Sequence, residues 1–282
     1  MAMDVHGVHV SDTACVTGAA AESVVLLHGF SDNANTWRRI VPPLAERYRV
    51  IALDLPGHGR STRPWTKPLV AGYADVVAEV LDSLDVHEPV RLIGNSMGGC
   101  VAAVFAERHC DRTDRIVMIG MPGIRGVPLA WRAAATRPAV TALRAGLAPV
   151  PVPVLQRGFG WIYAHAATPR PSALDAAVLH DYFDVYADRE RLFGLGDIAR
   201  ELLRELRTLH LDQVLARCTV PTLEIWGRHD RLVPSRQARG RRGAAVIGGC
   251  GHCPQLDAPE RLLAAVLPFL ELPQSSARAV AS

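Results

Sequence analysis

The chain of 282 residues has almost no lysine: Lys67 is the single one among 31 basic residues. It also lacks long apolar runs. No stretch approaches the roughly 18–20 apolar residues of a spanning helix, and residues 147–155 are interrupted by Pro149, Pro151 and Pro153. A membrane partner is therefore not expected. The first ten residues show no basic region, apolar run and small-residue cleavage site in succession, so no signal peptide is expected. Strong charge of either sign is missing as well. The balance 31 − 28 gives +3, too mild for nucleic acid or an anionic surface to be the expected partner. The 23 glycines and 20 prolines follow no period, which excludes collagen-like and low-complexity chains. Cysteine is sparse: six in this length is far from a disulfide framework, and reduced thiols in a cytoplasmic protein are expected. Cys250-Gly-His-Cys253 has C-x-x-C spacing but no second ligand pair at zinc-site distance, so no metal and no cofactor is expected.

What is present is ample apolar material. Hydrophobic residues make up 49% and charged residues 21%, enough to exclude a disordered chain. Short aliphatic runs closed by glycine or a turn occupy residues 24–27, 50–53, 90–93, 115–119, 222–226 and 244–247. They read as strands buried on both faces. Helical patterns occupy 37–46, 73–84, 97–108 and 259–270, with Val76, Val77, Val80, Leu81 and Leu84 on one face of the second. Strand alternating with helix predicts a mostly parallel sheet flanked by helices. Residues 5–10 and 14–17 could form an edge hairpin.

The alternation stops after residue 119 and resumes at 222. Residues 129–135, 173–187 and 198–206 are helical candidates instead. Residues 122–212 contain eight of the chain's sixteen aromatics. An inserted helical cap over 122–212 follows, between core segments 1–121 and 213–282. Some of its aromatics build its own core. Others line an apolar pocket, for which Trp131, Phe159, Trp161, Tyr163 and Tyr182 are the candidates. The basic cluster from Arg236 to Arg242 reads as a solvated face.

Ser96 stands in Gly94-Asn95-Ser96-Met97-Gly98, directly after a strand and at the start of a helix. A sharp strand-to-helix turn lifts the central side chain clear of the sheet, and close backbone approach requires glycine on either side. A capping serine in a glycine-rich turn is the bland alternative.

With these residues the sequence resembles the α/β-hydrolase family over 20–121 and 213–272. The resemblance implies that Ser96 is the nucleophile and that the N–H groups of Phe30, in His28-Gly29-Phe30, and of Met97 form an oxyanion hole. Asp230, in Gly227-Arg-His-Asp-Arg-Leu-Val-Pro234, fits the family's acid, and His252, in Gly249-Cys-Gly-His-Cys-Pro254, fits its base. Each follows a strand end, where ligands meet in parallel sheets. The resemblance gives His28, Asp54 and His58 structural roles. Asp212 and Asp257 belong to helix starts, His229 to the neighbourhood or solvent, and His109, His180 and His210 to helical surfaces. Serine at the elbow argues against the branches that use aspartate there.

The expected substrate is a small, apolar, carbonyl-containing molecule: an ester, lactone or thioester. Gly94-Asn-Ser-Met-Gly-Gly99 and Met118-Ile-Gly-Met-Pro-Gly123 are also similar to carbon–carbon bond hydrolases of ring-cleavage products. Those usually have a glycine-rich oxyanion loop and Trp after the base, where this chain has Phe30-Ser-Asp-Asn33 and Cys253. A non-hydrolytic cyclase or lyase and a ligand receptor remain open on the same fold.

Overall fold

The computed structural model describes residues 1–13, 22–124, 129–171, 174, 184–241 and 243–273. Eight strands form one sheet: β1 (Ala2–Val5), β2 (Val8–Asp12), β3 (Ser23–Leu27), β4 (Arg49–Leu53), β5 (Val90–Asn95), β6 (Thr113–Ile119), β7 (Thr222–Gly227) and β8 (Ala245–Ile247). Their order is β1-β2-β4-β3-β5-β6-β7-β8. β3 to β8 run parallel, and β1 and β2 form an antiparallel edge. The expected runs lie in β3 to β8. β3 to β6 are covered on almost their whole length, whereas β8, at the edge of the sheet, is not buried on both faces as expected: Val246 is 39% exposed there. Alternate residues divide between two cores: Val25, Leu27, Ile51, Leu53 and Leu92 on one side, and Val24, Leu26, Val50, Ala52 and Ile93 on the other. Burying each of the Val, Leu and Ile side chains is worth about 1.5–3 kcal/mol.

The edge hairpin differs from expectation. Its turn is His6-Gly7, with φ of 52° and 81°. Positive φ at both central residues suits a two-residue turn between twisted strands, so pairing runs from Val5 with Val8 out to Ala2 with Ser11. Residues 14–17 lie outside the described residues.

The helices flanking the sheet are α1 (Val41–Ala45), α2 (Leu69–Ser83), α3 (Met97–Arg108) and, after β8, α9 (Pro254–Asp257) and α10 (Pro259–Glu271). The helix expected over 37–46 is instead a 3-10 turn, Ala34–Trp37, followed by α1. Pro42 and Pro43 explain the break: they have no N–H to donate to a preceding turn, yet fit the first turn of a new helix.

Between β6 and β7 the described chain is helical, with α4 (Leu129–Ala134), α5 (Arg137–Leu147), α6 (Val152–Ala167), α7 (Arg189–Glu205) and α8 (Leu211–Arg217). It adds no strand to the sheet among the described residues. The expected boundary at 212/213 falls inside α8. Of the helix expected over 173–187, most lies outside the described residues. The segment's core of Leu155, Tyr163, Tyr186, Leu192 and Leu195 continues onto Cys253 and Leu256. Among the described residues, no helix is long and apolar enough to cross a membrane.

Strand order decides where a site can form. β3 lies between β4 and β5, so the chain leaves it in opposite directions on its two sides. The loops after β3 and β5 therefore open a crevice at the carboxyl ends of the strands. Phe30 lies in the first loop and Ser96 in the second.

Candidate active site

Ser96 occupies the single position between β5 and α3, with φ 53° and ψ −116°. That backbone is costly for a residue with a Cβ and persists only where its surroundings impose it. Here they do. A Cβ on Gly94 would lie 2.2 Å from the Gly98 carbonyl oxygen, and one on Gly98 would lie 2.2 Å from that of Leu27. Helix and sheet approach too closely for any other residue type. The Ser96 N–H donates to the Ile119 carbonyl at 2.7 Å. Its hydroxyl makes no cap bond to α3, which removes the capping alternative.

His252 and Asp230 meet in a buried pair, Nδ1 to Oδ2 at 2.7 Å. The other Asp230 oxygen accepts from the N–H groups of Leu232 and Val233 at 2.8 and 2.7 Å. The carboxylate is thus fixed by its own loop and presents one oxygen to the ring. Gly120 makes room: a Cβ there would lie 3.1 Å from His252 Nδ1 and 3.2 Å from Asp230 Oδ2.

The loop carrying His252 is held from three sides. Asn95 Nδ2 donates to the His252 carbonyl at 2.9 Å. Asp257, the last residue of α9 and two residues before α10, accepts from Gly251 N–H at 3.0 Å. Cys253 N–H donates to the Ala167 carbonyl at the end of α6. Asn95 is the residue that the sequence reading passed over. An inward-facing amide in the x position of G-x-S-x-G is its only signal, and its partner lies 157 residues away. The Cys250 and Cys253 thiols point to different acceptors, the Ile247 carbonyl and Asn95 Oδ1. Burial pushes Cys250 up to about 11 and Cys253 well above the usual thiol range.

Ser96 and His252 line one cavity of about 410 Å³. Its other walls are mostly apolar, with Trp131, Phe159 and Tyr163 contributed by α4 and α6. Phe30 lines it too, with its ring edge-on to His58. Met97 is buried at the start of α3, where a first-turn N–H has no partner within the helix. Trp161 is a correction: it is 63% exposed and stacks on His165. Phe159, Tyr163 and Ala166 line the cavity from one face of α6 and are buried or half-buried, and position 161 lies on the opposite face. Tyr182 lies outside the described residues.

The cavity has little charge. Among the described residues, no Arg or Lys lines it, and Asp32 is the one carboxylate. Tyr163 Oη donates to Asp32 Oδ2 at 3.1 Å. Burial raises the Asp32 carboxyl, opposed by His28, the Asn33 N–H and the hydroxyls of Thr36 and Tyr163. Burial, and then the charge of Asp32, push the Tyr163 phenol well above its usual range.

The supporting residues take structural places. His28 Nε2 accepts from Leu55 N–H and its Nδ1 faces the Gly29 carbonyl. Asp54 accepts from the N–H groups of Ala34 and Arg60. His229 and His210 are exposed. His109 follows α3 as its cap and is half-buried, and His180 lies outside the described residues. Asp212 starts α8 and pairs with Arg241, which also holds Glu224. Among the described residues of the basic cluster, a short 3-10 turn, Ser235–Ala238, forms.

Residues 22–139 match the family model for the alpha/beta hydrolase fold. A 2-hydroxy-6-oxononadienedioate/2-hydroxy-6-oxononatrienedioate hydrolase from Cupriavidus pinatubonensis is 31% identical over 290 residues, covering 93% of this chain and 90% of that protein. The chain belongs to the α/β-hydrolase fold family. Solved structures agree at the level of the fold. A thermophilic esterase from Thermogutta terrifontis aligns with a TM-score of 0.73 at 22% identity, covering 98% of this chain and 95% of that one. An enol-lactonase from Burkholderia xenovorans aligns at 0.70 and 19%, covering 96% and 100%. In α/β-hydrolase terms, Ser96 stands at the elbow and Asp230 and His252 follow β7 and β8.

Proposed function

We propose that the protein is a serine hydrolase that opens an ester, lactone or thioester of a small, neutral, apolar acyl group through an acyl-enzyme on Ser96. One observation carries this: the strained Ser96, its hydroxyl unused by α3, shares a cavity with a histidine whose Nδ1 is already held by Asp230. With Nδ1 on the carboxylate, Nε2 is the nitrogen left to take the Ser96 proton. Ser96 Oγ attacks the carbonyl carbon, and the oxygen becomes negative. The Phe30 and Met97 N–H groups stabilise it, each such donor being worth about 3 kcal/mol of barrier. His252 then protonates the leaving group, and water activated by the same ring releases the acid. Residues 122–212 act as the cap, limiting water at the acyl group.

The relative named for a dienedioate favours a second reading, hydrolysis of a carbon–carbon bond in a ring-cleavage product. The cavity supports it less. Two carboxylates brought into an apolar space need cationic partners, and no Arg or Lys lines this one among the described residues.

The test is labelling and turnover. A fluorophosphonate should label the wild type and not Ser96→Ala, and Ser96→Ala should hydrolyse p-nitrophenyl hexanoate slower by at least about 10³-fold. An unlabelled wild type, or a variant of equal rate, defeats the proposal. A ring-cleavage dienoate hydrolysed better than any neutral ester or lactone would move the assignment to the second reading.

A further inference from the structure

Beside the Ser96 cavity lies a smaller recess of about 180 Å³, walled by Arg132, Arg137, Arg200, Arg204 and Arg207 together with Thr136 and Leu203. Leu203 lines both spaces. Helix geometry explains the adjacency. Ala199 and Leu203 on α7, and Leu206 just past it, face the Ser96 cavity. Arg200, Arg204 and, just past the helix, Arg207 come one position later, about 100° further round. On α4, Trp131 faces the cavity and Arg132 the recess.

Among the described residues only Arg204 of the five has carboxylate partners, Glu201 and, at 3.9 Å, Glu205. Arg132, Arg137, Arg200 and Arg207 form no ion pair among the described residues, and no Asp or Glu lines the recess. Balancing helix dipoles is the ordinary use of such arginines. It accounts for Arg132 and Arg204, which stand in the last turns of α4 and α7, and for Arg207 just beyond. It fails for Arg137, the first residue of α5, where the dipole is itself positive. It fails also for Arg200, inside α7 and four residues from Arg204, where like charges repel. The recess carries more positive charge than its own elements use, and guanidinium forks in this number match phosphate oxygens.

We propose that this recess binds a phosphoryl group on the leaving portion of the substrate. The substrate is then an apolar acyl ester or thioester of a phosphorylated alcohol or thiol, with the acyl chain in the Ser96 cavity and the phosphate across Leu203. This rests on the serine-hydrolase reading. Ser96 Oγ forms the acyl bond as the carbonyl C–O or C–S bond breaks. The alcohol or thiol leaves with a proton from His252, and water then yields the acid.

Two sources share this chemistry, a phosphorylated thiol carrier and a phosphoglycerol ester. Three hexanoyl substrates separate them: hexanoyl-coenzyme A, 1-hexanoyl-glycerol 3-phosphate and p-nitrophenyl hexanoate. In Arg200→Ala/Arg207→Ala, KM should rise at least about tenfold for whichever phosphorylated ester the wild type prefers, and stay within about twofold for the p-nitrophenyl ester. Calorimetric titration gives a readout free of turnover: coenzyme A or glycerol 3-phosphate should bind Ser96→Ala, and binding should be lost when the two arginines are also replaced. The proposal is overturned if neither probe binds, or if the double variant affects the neutral and phosphorylated esters equally. Binding that depends on the arginines, together with hydrolysis undiminished in Ser96→Ala, would uphold the recess and sink the serine mechanism instead.

Discussion

Asn95 holds the backbone of His252 while Asp230 holds its ring. Its amide donates to the His252 and Ile119 carbonyls, and its oxygen receives the Cys253 thiol. The elbow and the base loop are thereby tied at one side chain. Asn95→Ala takes the donor from the His252 carbonyl, whereas the Ile119 carbonyl keeps the Ser96 N–H; one buried acceptor left short costs about 1–3 kcal/mol. Because it frees the loop that aims the base, kcat should fall more than KM rises, and urea unfolding should report the accompanying loss of stability. Ser96, Asp230 and His252 were legible in sequence because each sits in a local turn pattern following a strand. Asn95 was not, because its role depends on a loop brought in from the far end of the chain.

Helix α2 shows the same division at the scale of an element. Its apolar face predicts 73–84, but it begins four residues earlier, at Leu69 after Pro68. The early start has a tertiary cause. The buried Glu205, at the end of α7, accepts from the N–H groups of Leu69 and Val70, satisfying first-turn donors that have no partner of their own. A carboxylate there also meets the positive end of the helix. Glu205→Ala should lower stability by about 1–2 kcal/mol. Hydrogen exchange should accelerate at Leu69 and Val70 before it does so in the strands. A proline misled in the opposite direction. Pro153 interrupts an apolar run in the sequence, yet it stands in the first turn of α6, where a missing N–H costs nothing.

For the molecule as a whole, acid is the condition that should expose its stored electrostatics. His58 is fully buried beside His28, Phe30 and Tyr73. Burial first, and then the charge of His28, lower its pKa from 6.5 to about 3. The unfolded chain therefore binds a proton at His58 below pH 6.5 that the folded chain refuses until about pH 3. The folded pKa is depressed, so this contribution is complete above pH 6.5 and is lost as pH falls toward 3, by about 1.4 kcal/mol per pH unit. Urea unfolding at a series of pH values should show a steep acid limb in the wild type and a shallower one in His58→Gln. An equal slope in both would place the acid sensitivity elsewhere.

Periodicity and turn chemistry were enough for the parallel sheet and for the turns after its strands at which Ser96, Asp230 and His252 stand. These are short-range features: a strand buried on both faces must be apolar throughout, and a turn this tight admits only glycine beside its serine. Packing alone decided which aromatics between β6 and β7 line the Ser96 cavity. Tyr163 turns inward and Trp161 outward, according to how α6 lies on the core. Packing also gathered arginines from α4, α5 and α7 around one recess. Residues 132, 137, 200 and 207 are unremarkable along the chain, because their charges act together only once the helices that carry them have been brought to the same side of Leu203.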